Sequence, residues 1–337
     1  MASRGGIGGT ASRYIVGVDL GGTNIVVGVM TADGSEQHAM QSIPTRADQG
    51  ADAVVERIVQ LCERVIAETQ AATGATRAQF IGIGIGSPGP LDRERGIVIV
   101  TPNLGWRNFP LRDRIADGVH LSAELDNDAN CATLGEWWIG AARGASQVVG
   151  LTIGTGIGGG LILNGSLYHG ASDVAGELGH ISIDATGRKC GCGNYGCLEA
   201  YASGPAIAQR AREALGGGEP SIMSNLVLGN LEKISAATVF DAAQQGDELA
   251  GHVVRETAQF LGIGIANFLN IFNPEVVVIV GGVTQAGEAL FEPLRAEVRR
   301  RAFAPAVAAC RIVPGELQGR AGVVGAVAIF AQARGLA

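Results

Sequence analysis

The residue pattern best suited to chemistry is a cluster of one histidine and three cysteines. His180, Cys190, Cys192 and Cys197 fall within 18 residues, in the run GHISIDATGRKCGCGNYGC. Three thiolates and an imidazole form a tetrahedral Cys3His set, the closed type that holds structural Zn²⁺. Gly191, Gly193 and Gly196 let the chain fold tightly around an ion. A Cys-x-Cys pair is poorly placed for a disulfide. Cys62, Cys131 and Cys310 stand in apolar or helical surroundings and read as core thiols. Glu177 precedes His180 by three residues and Glu199 follows Cys197 by two. An ion that fixes the loop 177–199 also fixes both carboxylates. Each carboxylate could then accept from two hydroxyls of a polyhydroxylated ligand.

A second pattern suits phosphate. Backbone N–H groups in glycine turns can ring an anion, because the chain can approach closely where no Cβ intervenes. Gly21-Gly22-Thr23-Asn24 and Gly154-Thr155-Gly156-Ile157-Gly158-Gly159 are two such turns, and Thr23 and Thr155 add hydroxyls. Asp19 ends the strand-like run before the first turn, where a carboxylate could hold Mg²⁺ directly or through water. A third turn, Gly281-Gly282-Val283, follows the apolar run Val276–Val280 and could flank a nucleotide. Gly154–Gly159 and Gly84–Gly89 both match G-x-G-x-x-G, but a dinucleotide fingerprint opens a helix. Leu161-Ile162-Leu163 and Pro90-Leu91-Asp92 follow instead. A hairpin turn without a ligand is the plain alternative for either loop alone. Only Lys189 and Lys233 are lysines, and no G-x-x-x-x-G-K-[ST] or V-A-I-K exists, which excludes P-loop and protein-kinase-like enzymes.

Asp126-Asn127-Asp128 ends a strand-like stretch and opens a helical one. A carboxylate there could simply cap the helix, or Asp128 could be a base that takes a hydroxyl proton during phosphoryl transfer. Asn103, in Pro102-Asn103-Leu104-Gly105-Trp106, could contribute an amide or be a turn residue.

The elements that must carry these residues follow from periodicity. Tyr14–Leu20 and Ile25–Met30 read as a hairpin, and Ala51–Thr69 as an amphipathic helix. In Phe80–Gly86 (FIGIGIG) isoleucine alternates with glycine, which suggests a buried strand closely approached by another backbone. Residues 15–21 lie over residues 148–154 at an offset of 133, a weak internal repeat that predicts two α/β units with a cleft between the copies. Helical patterns run over Asn127–Ala142, Pro205–Leu215, Ser235–Gln245, Leu249–Phe272 and Arg320–Arg334, and Val276–Val280 is an apolar strand.

The 337 residues carry 32 acidic against 25 basic side chains, a net charge of −7, which disfavours a nucleic-acid binder. Charged residues make up 17% and apolar ones 47%, so the elements are well buried rather than disordered. No stretch is apolar enough to span a membrane, and Met1–Arg13 lacks the apolar core of a signal peptide and reads as a flexible tail. A cytoplasmic location with reduced thiols is expected.

Together these residues resemble the ROK (repressor, open reading frame, kinase) family of sugar kinases, within the actin/hexokinase/Hsp70-like ATPases. The resemblance spans Tyr14 to Leu336. It rests on Asp19-Leu20-Gly21-Gly22-Thr23, Asn127-Asp128-Ala129-Asn130, Gly154–Gly159, and above all Glu177-Leu178-Gly179-His180 with Cys190 through Glu199. It implies an α/β fold of two ribonuclease-H-like domains around a cleft: 14–126 plus 318–337 as the small domain and 127–317 as the large one. ATP with Mg²⁺ would lie against both glycine turns and Gly281-Gly282. Asp128 would be the catalytic base, with Asn103, Asn127, Glu177, His180 and Glu199 on sugar hydroxyls. His180 would hold zinc through one nitrogen and face the sugar with the other.

Within the family, Cys197-Leu198-Glu199-Ala200-Tyr201-Ala202-Ser203-Gly204-Pro205-Ala206 is similar to the bacterial glucokinases. That implies transfer of the γ-phosphoryl of ATP to the 6-hydroxyl of glucose. Kinases of mannose, fructose, N-acetylglucosamine or N-acetylmannosamine and a non-catalytic sugar sensor are the alternatives. Too few residues precede Asp19 for the helix-turn-helix of the repressor branch, and the family suggests a homodimer or homotetramer.

Overall fold

The computed structural model describes residues 12–101 and 103–336. The tail expected over residues 1–13 therefore lies outside the described residues, except for Ser12 and Arg13. The carbonyls of those two accept from Gln79 Nε2 and the amide of Ala32.

The chain divides into two units, one running to Asn127 and resuming at Ala326, the other spanning Asp128–Gly325. In the first unit, β1 (Tyr14–Leu20), β2 (Asn24–Thr31), β3 (Gln37–Pro44), β4 (Phe80–Ser87) and β8 (Ala123–Asn127) form a sheet ordered β3-β2-β1-β4-β8. The β1–β2 and β2–β3 pairs are antiparallel; β4 runs parallel to both β1 and β8. Three short strands, β5 (Leu91–Asp92), β6 (Ile97–Thr101) and β7 (Trp106–Phe109), make a separate antiparallel sheet.

Helix α1 (Ala51–Thr73) buries Val54, Val55, Ile58, Leu61, Cys62, Val65 and Ile66, all on the face that the periodicity selected. It outruns the expected Thr69 by one turn and stops at Gly74, whose left-handed backbone (φ 74°) lets its amide reach the carbonyl of Gln70. Helix α2 (Leu111–Val119) completes the unit's core with Leu111, Ile115 and Val119. The glycines of β4 do what their alternation suggests. A Cβ on Gly82 would lie 1.9 Å from the Phe330 ring, and one on Gly84 would lie 1.6 Å from the carbonyl oxygen of Ala326.

The second unit repeats the plan. Its sheet is ordered β11-β10-β9-β12-β13, from β9 (Val148–Ile153), β10 (Ile157–Leu163), β11 (Ser166–Leu167), β12 (Val276–Val280) and β13 (Arg311–Pro314). The directions match the first sheet strand for strand: two antiparallel pairs, then two parallel ones. The offset of 133 thus reflects a duplicated sheet, with β1–β2 and β9–β10 as equivalent hairpins. Its helices are α3 (Asp128–Trp138), α4 (Glu199–Ala202), α5 (Gly204–Gly216), α6 (Met223–Leu226), α7 (Ala236–Gln244), α8 (Glu248–Phe272), α9 (Glu288–Arg301) and α10 (Ala304–Ala309), and α11 (Ala321–Ala333) starts in this unit and ends in the first. α8 buries Leu261, Ile265, Phe268 and Leu269 in the core, and Asn273 closes it in the left-handed conformation. The charged, proline-containing segment of α9 is not among the expected helices, yet it buries Leu290, Phe291, Leu294 and Val298, which recur at helical spacing.

Two expected boundaries move. The helix placed over Asn127–Ala142 occupies only Asp128–Trp138, because Asn127 pairs in register with Ser87 as the last residue of β8. Beyond Trp138 the fully buried carboxylate of Glu136 takes the Ala141 amide, which turns the chain away. The division expected at residue 318 falls instead within α11, at Gly325. Residues 316–325 belong with α3: Glu136 also accepts the amides of Glu316 and Leu317. Farther along, a Cβ on Gly325 would sit 1.6 Å from the Cys131 carbonyl oxygen.

Candidate active site

In the first unit, Asp19 sits one residue before the end of β1, paired across from Val26 and Gly86. The turn Gly21–Asn24 follows, closed by the Gly21 amide on the Asn24 carbonyl at 2.9 Å. Thr45, fully buried, pins that turn from behind: its hydroxyl donates to the Gly21 carbonyl at 2.7 Å and its amide to that of Thr23 at 2.8 Å. Gly22, Thr23 and Asn24 are left exposed. Asn103 lies against this turn; its Cβ would be 3.5 Å from a Cβ on Gly22. Asn127 ends β8. Its neighbour Asp126 is fully buried and engaged, with Oδ2 2.9 Å from Nε of Arg93 and Oδ1 accepting the Asn127 amide at 2.7 Å. Asp126 is therefore spent on structure. Arg93, the cation that makes this possible, carries no sequence signal.

In the second unit, Asp128 is the first residue of α3 and only partly exposed. Its Oδ1 accepts the Ala129 amide at 2.8 Å. Burial in a low-dielectric setting pushes its carboxyl up to about 6, and the nearby Glu177 charge adds to the rise, against the lowering effect of the Ala129 amide. A carboxylate tuned toward neutrality is suited to take up a proton, whereas a plain helix cap is ordinarily held below its usual value. The packing of α3 explains how Asp128 is held. Gly150 and Gly160 of the β9–β10 hairpin leave room for Thr133, and Gly158 for Ala129.

The expected metal ligands come together. Nδ1 of His180 lies 3.7 Å from Sγ of Cys190, Sγ of Cys192 lies 3.7 Å from Sγ of Cys197, and the four ligand atoms fall within 4.8 Å of one another. Bonds of about 2.3 Å to a tetrahedral zinc ion give ligand separations of about 3.8 Å, so the set fits Zn²⁺. Burial pushes the Cys197 thiol up to about 12 and raises Cys190, while the Asn194 amide lowers Cys192. The two raised thiols, Cys190 and Cys197, give up their protons only when a metal displaces them. Nε2 of His180 faces the other way, 3.9 Å from Oε2 of Glu177.

The loop bearing these ligands is braced by residues the sequence reading did not single out. The Tyr201 hydroxyl donates to Oδ2 of Asp184 at 3.1 Å and accepts the Arg188 amide at 2.8 Å. The Arg188 guanidinium makes a two-pronged pair with Glu213 of α5 and holds that carboxyl below its usual range.

The second glycine turn, Gly154–Gly156, joins β9 to β10. It opens onto a cavity of about 530 Å³ whose wall includes Ile153, Gly154, Thr155, Gly282 and Val283. The remainder is mostly apolar, from Pro205, Ile207, Ile234 and Phe240, with Arg212 as its one charged residue. Gly281, the other residue expected there, adopts φ 107°; a Cβ on it would lie 2.2 Å from the Ile153 carbonyl oxygen. An apolar slot ending at two backbone-rich turns is what a nucleoside phosphate requires.

Two sheets of identical order and direction, each with a hairpin closed by a glycine turn, define the two-unit fold of the actin- and hexokinase-like ATPases. Comparison with known proteins narrows that class: the ROK family pattern matches residues 15–333, and the chain belongs to that family. A glucokinase of Thermotoga maritima is 39% identical, over 94% of this chain and 96% of its own. The solved structure of a Streptomyces griseus ROK glucokinase in complex with glucose and AMPPNP superposes with a TM-score of 0.82 at 34% identity, covering 94% of this chain and 98% of that one. A xylose repressor of Caldicellulosiruptor bescii is 34% identical over 94% of this chain but only 77% of its own.

Proposed function

We propose that this protein transfers the γ-phosphoryl group of ATP to the 6-hydroxyl of glucose, with Asp128 as general base. The observation that carries the reading is the Asp128 carboxyl, raised to about 6 at the start of α3 and within electrostatic reach of Glu177. Asp128 takes the 6-hydroxyl proton as that oxygen bonds to the γ-phosphorus, the bond to the β-phosphate oxygen breaks, and ADP leaves. Glu177, His180, Glu199, Asn103 and Asn127 bind and orient the other hydroxyls. The turns formed by Gly21, Gly22, Thr23 and Asn24 and by Gly154, Thr155 and Gly156 lie against the phosphates, the Gly21 and Gly154 amides closing the turns rather than meeting the ligand, with Gly281 and Gly282 beside the nucleoside. Asp19 would hold Mg²⁺, which neutralises phosphate charge when bound; one carboxylate supplemented by phosphate oxygens is an ordinary magnesium donor set.

His180, Cys190, Cys192 and Cys197 would hold a structural Zn²⁺ that keeps the loop 177–199 in shape. Thiols serving a zinc site suit the reducing cytoplasm. Among the described residues no helix is long and apolar enough to cross a membrane. We read the assembly as a homodimer or homotetramer, and a net charge of −7 gives no footing for nucleic acid.

The test is a coupled assay of ADP release over a panel of hexoses and N-acetylhexosamines. Glucose should give the highest kcat/KM. Turnover confined to another sugar would reassign the substrate. The repressor relative motivates a second reading, a sugar sensor; binding of glucose without ADP release would establish it.

A further inference from the structure

The segment after the last cysteine touches the phosphate turn at both ends. Oε2 of Glu199 accepts the amide of Ile157, the first residue beyond the turn, at 2.9 Å. The same oxygen would lie 2.5 Å from a Cβ on Gly156, so the carboxylate rests on the turn at a place only glycine leaves open. Five residues on, the amide of Gly204 donates to the Gly154 carbonyl at 2.8 Å. Between these two clamps the turn closes on itself through the Gly154 amide and the Gly156 carbonyl at 2.9 Å. On its other side Glu199 reaches the metal cluster, with Oε1 3.7 Å from Sγ of Cys190. Its place is fixed by Leu198, which is fully buried against Gly264 of α8 and donates its amide to the Ile181 carbonyl at 3.0 Å.

We propose that Glu199, besides meeting the sugar, is a positioning residue for the Gly154–Gly156 turn, so that the metal-binding loop sets phosphate affinity as well as sugar affinity. A sugar-only ligand would have no need of an acceptor bond to Ile157 or of the opening at Gly156. The inference rests on the reading of that turn as a phosphate site, and its test separates the two.

Binding of AMPPNP with Mg²⁺, and of adenosine, is measured by calorimetry without sugar, beside a glucose titration. Glu199→Ala removes the acceptor and should weaken AMPPNP about tenfold or more, the scale of a charge-assisted hydrogen bond, with adenosine unchanged. Glu199→Gln keeps an oxygen for the Ile157 amide and should hold AMPPNP within about threefold of the unaltered protein while glucose affinity falls. If Glu199→Ala fails to fold, Gly204→Ala decides in its place. Its Cβ would stand 2.9 Å from the Gly154 carbonyl oxygen, so the turn must shift; AMPPNP should weaken while glucose binding persists. Unchanged AMPPNP affinity in the alanine variant, or equal losses for AMPPNP and adenosine, would overturn the proposal. Failure of the unaltered protein to bind AMPPNP would instead overturn the phosphate-site reading itself.

Discussion

Asp128 shows how the same residue type reads differently in sequence and in space. In sequence it is an acid at a helix start, and nothing local distinguishes base from cap; only the resemblance carried by Asn127-Asp128-Ala129-Asn130 did so. In the structure its carboxyl is raised to about 6 mainly by burial, a cost that capping alone would not explain. The sign follows from linkage. A carboxyl raised in the folded state binds its proton more tightly there than in the unfolded chain. The resulting stabilisation is full below about 4 and lost as pH climbs through about 6. Asp128→Asn should therefore melt several degrees higher than the unaltered protein at pH 7.5, with the gap closing near pH 4. Activity runs the opposite way: kcat/KM should fall as pH drops through about 6, tenfold per unit once Asp128 is the limiting base. A pH profile flat from 5 to 8 would remove Asp128 from that role.

The elements divide by how local their causes are. The hairpins β1–β2 and β9–β10 and their glycine turns were legible, because each is a contiguous run whose pairing partner follows within a few residues. The close approach to FIGIGIG was legible too, although not that Phe330 and Ala326 make it. The early end of α3 was not, since Glu136 gathers amides from residues 141, 316 and 317, two of them about half the chain away. β5, with two residues, is too short for a period, whereas the apolar run of β6 and the helically spaced Leu290, Phe291, Leu294 and Val298 of α9 are present in the sequence but are not among the expected elements. Glu136 also yields a prediction. A buried carboxylate that satisfies three amides leaves them unpaired when truncated, so Glu136→Ala should cost about 3–5 kcal/mol in denaturant unfolding. A loss under about 1 kcal/mol would show that water replaces the carboxylate there.

At the scale of the whole molecule, the duplicated sheet places equivalent turns in both units, while the Cys3His loop is an insertion found only in the second. That loop was the part of the site most open to sequence reading, because four ligands, their glycines and both flanking carboxylates lie within one short stretch. Its brace was hidden: Tyr201 and Glu213 come from helices beyond the loop. One zinc ion per chain is expected by elemental analysis. Cys192→Ser should lose the metal and weaken glucose binding at least about tenfold, the effect typical of disturbing a metal's supporting shell. Full glucose affinity in metal-free protein would detach the loop from the sugar site.

The central claim, that Asp128 removes the sugar proton during phosphoryl transfer from ATP, is tested most directly by kcat and glucose Kd for Asp128→Asn. An amide oxygen still accepts a hydrogen bond from the sugar but is too weak a base to take its proton, and general-base catalysis is worth about 10²–10⁴-fold. The account predicts kcat lower by about that factor with glucose Kd within about tenfold of the unaltered protein. A variant that folds, binds glucose and turns over near the original rate would contradict it.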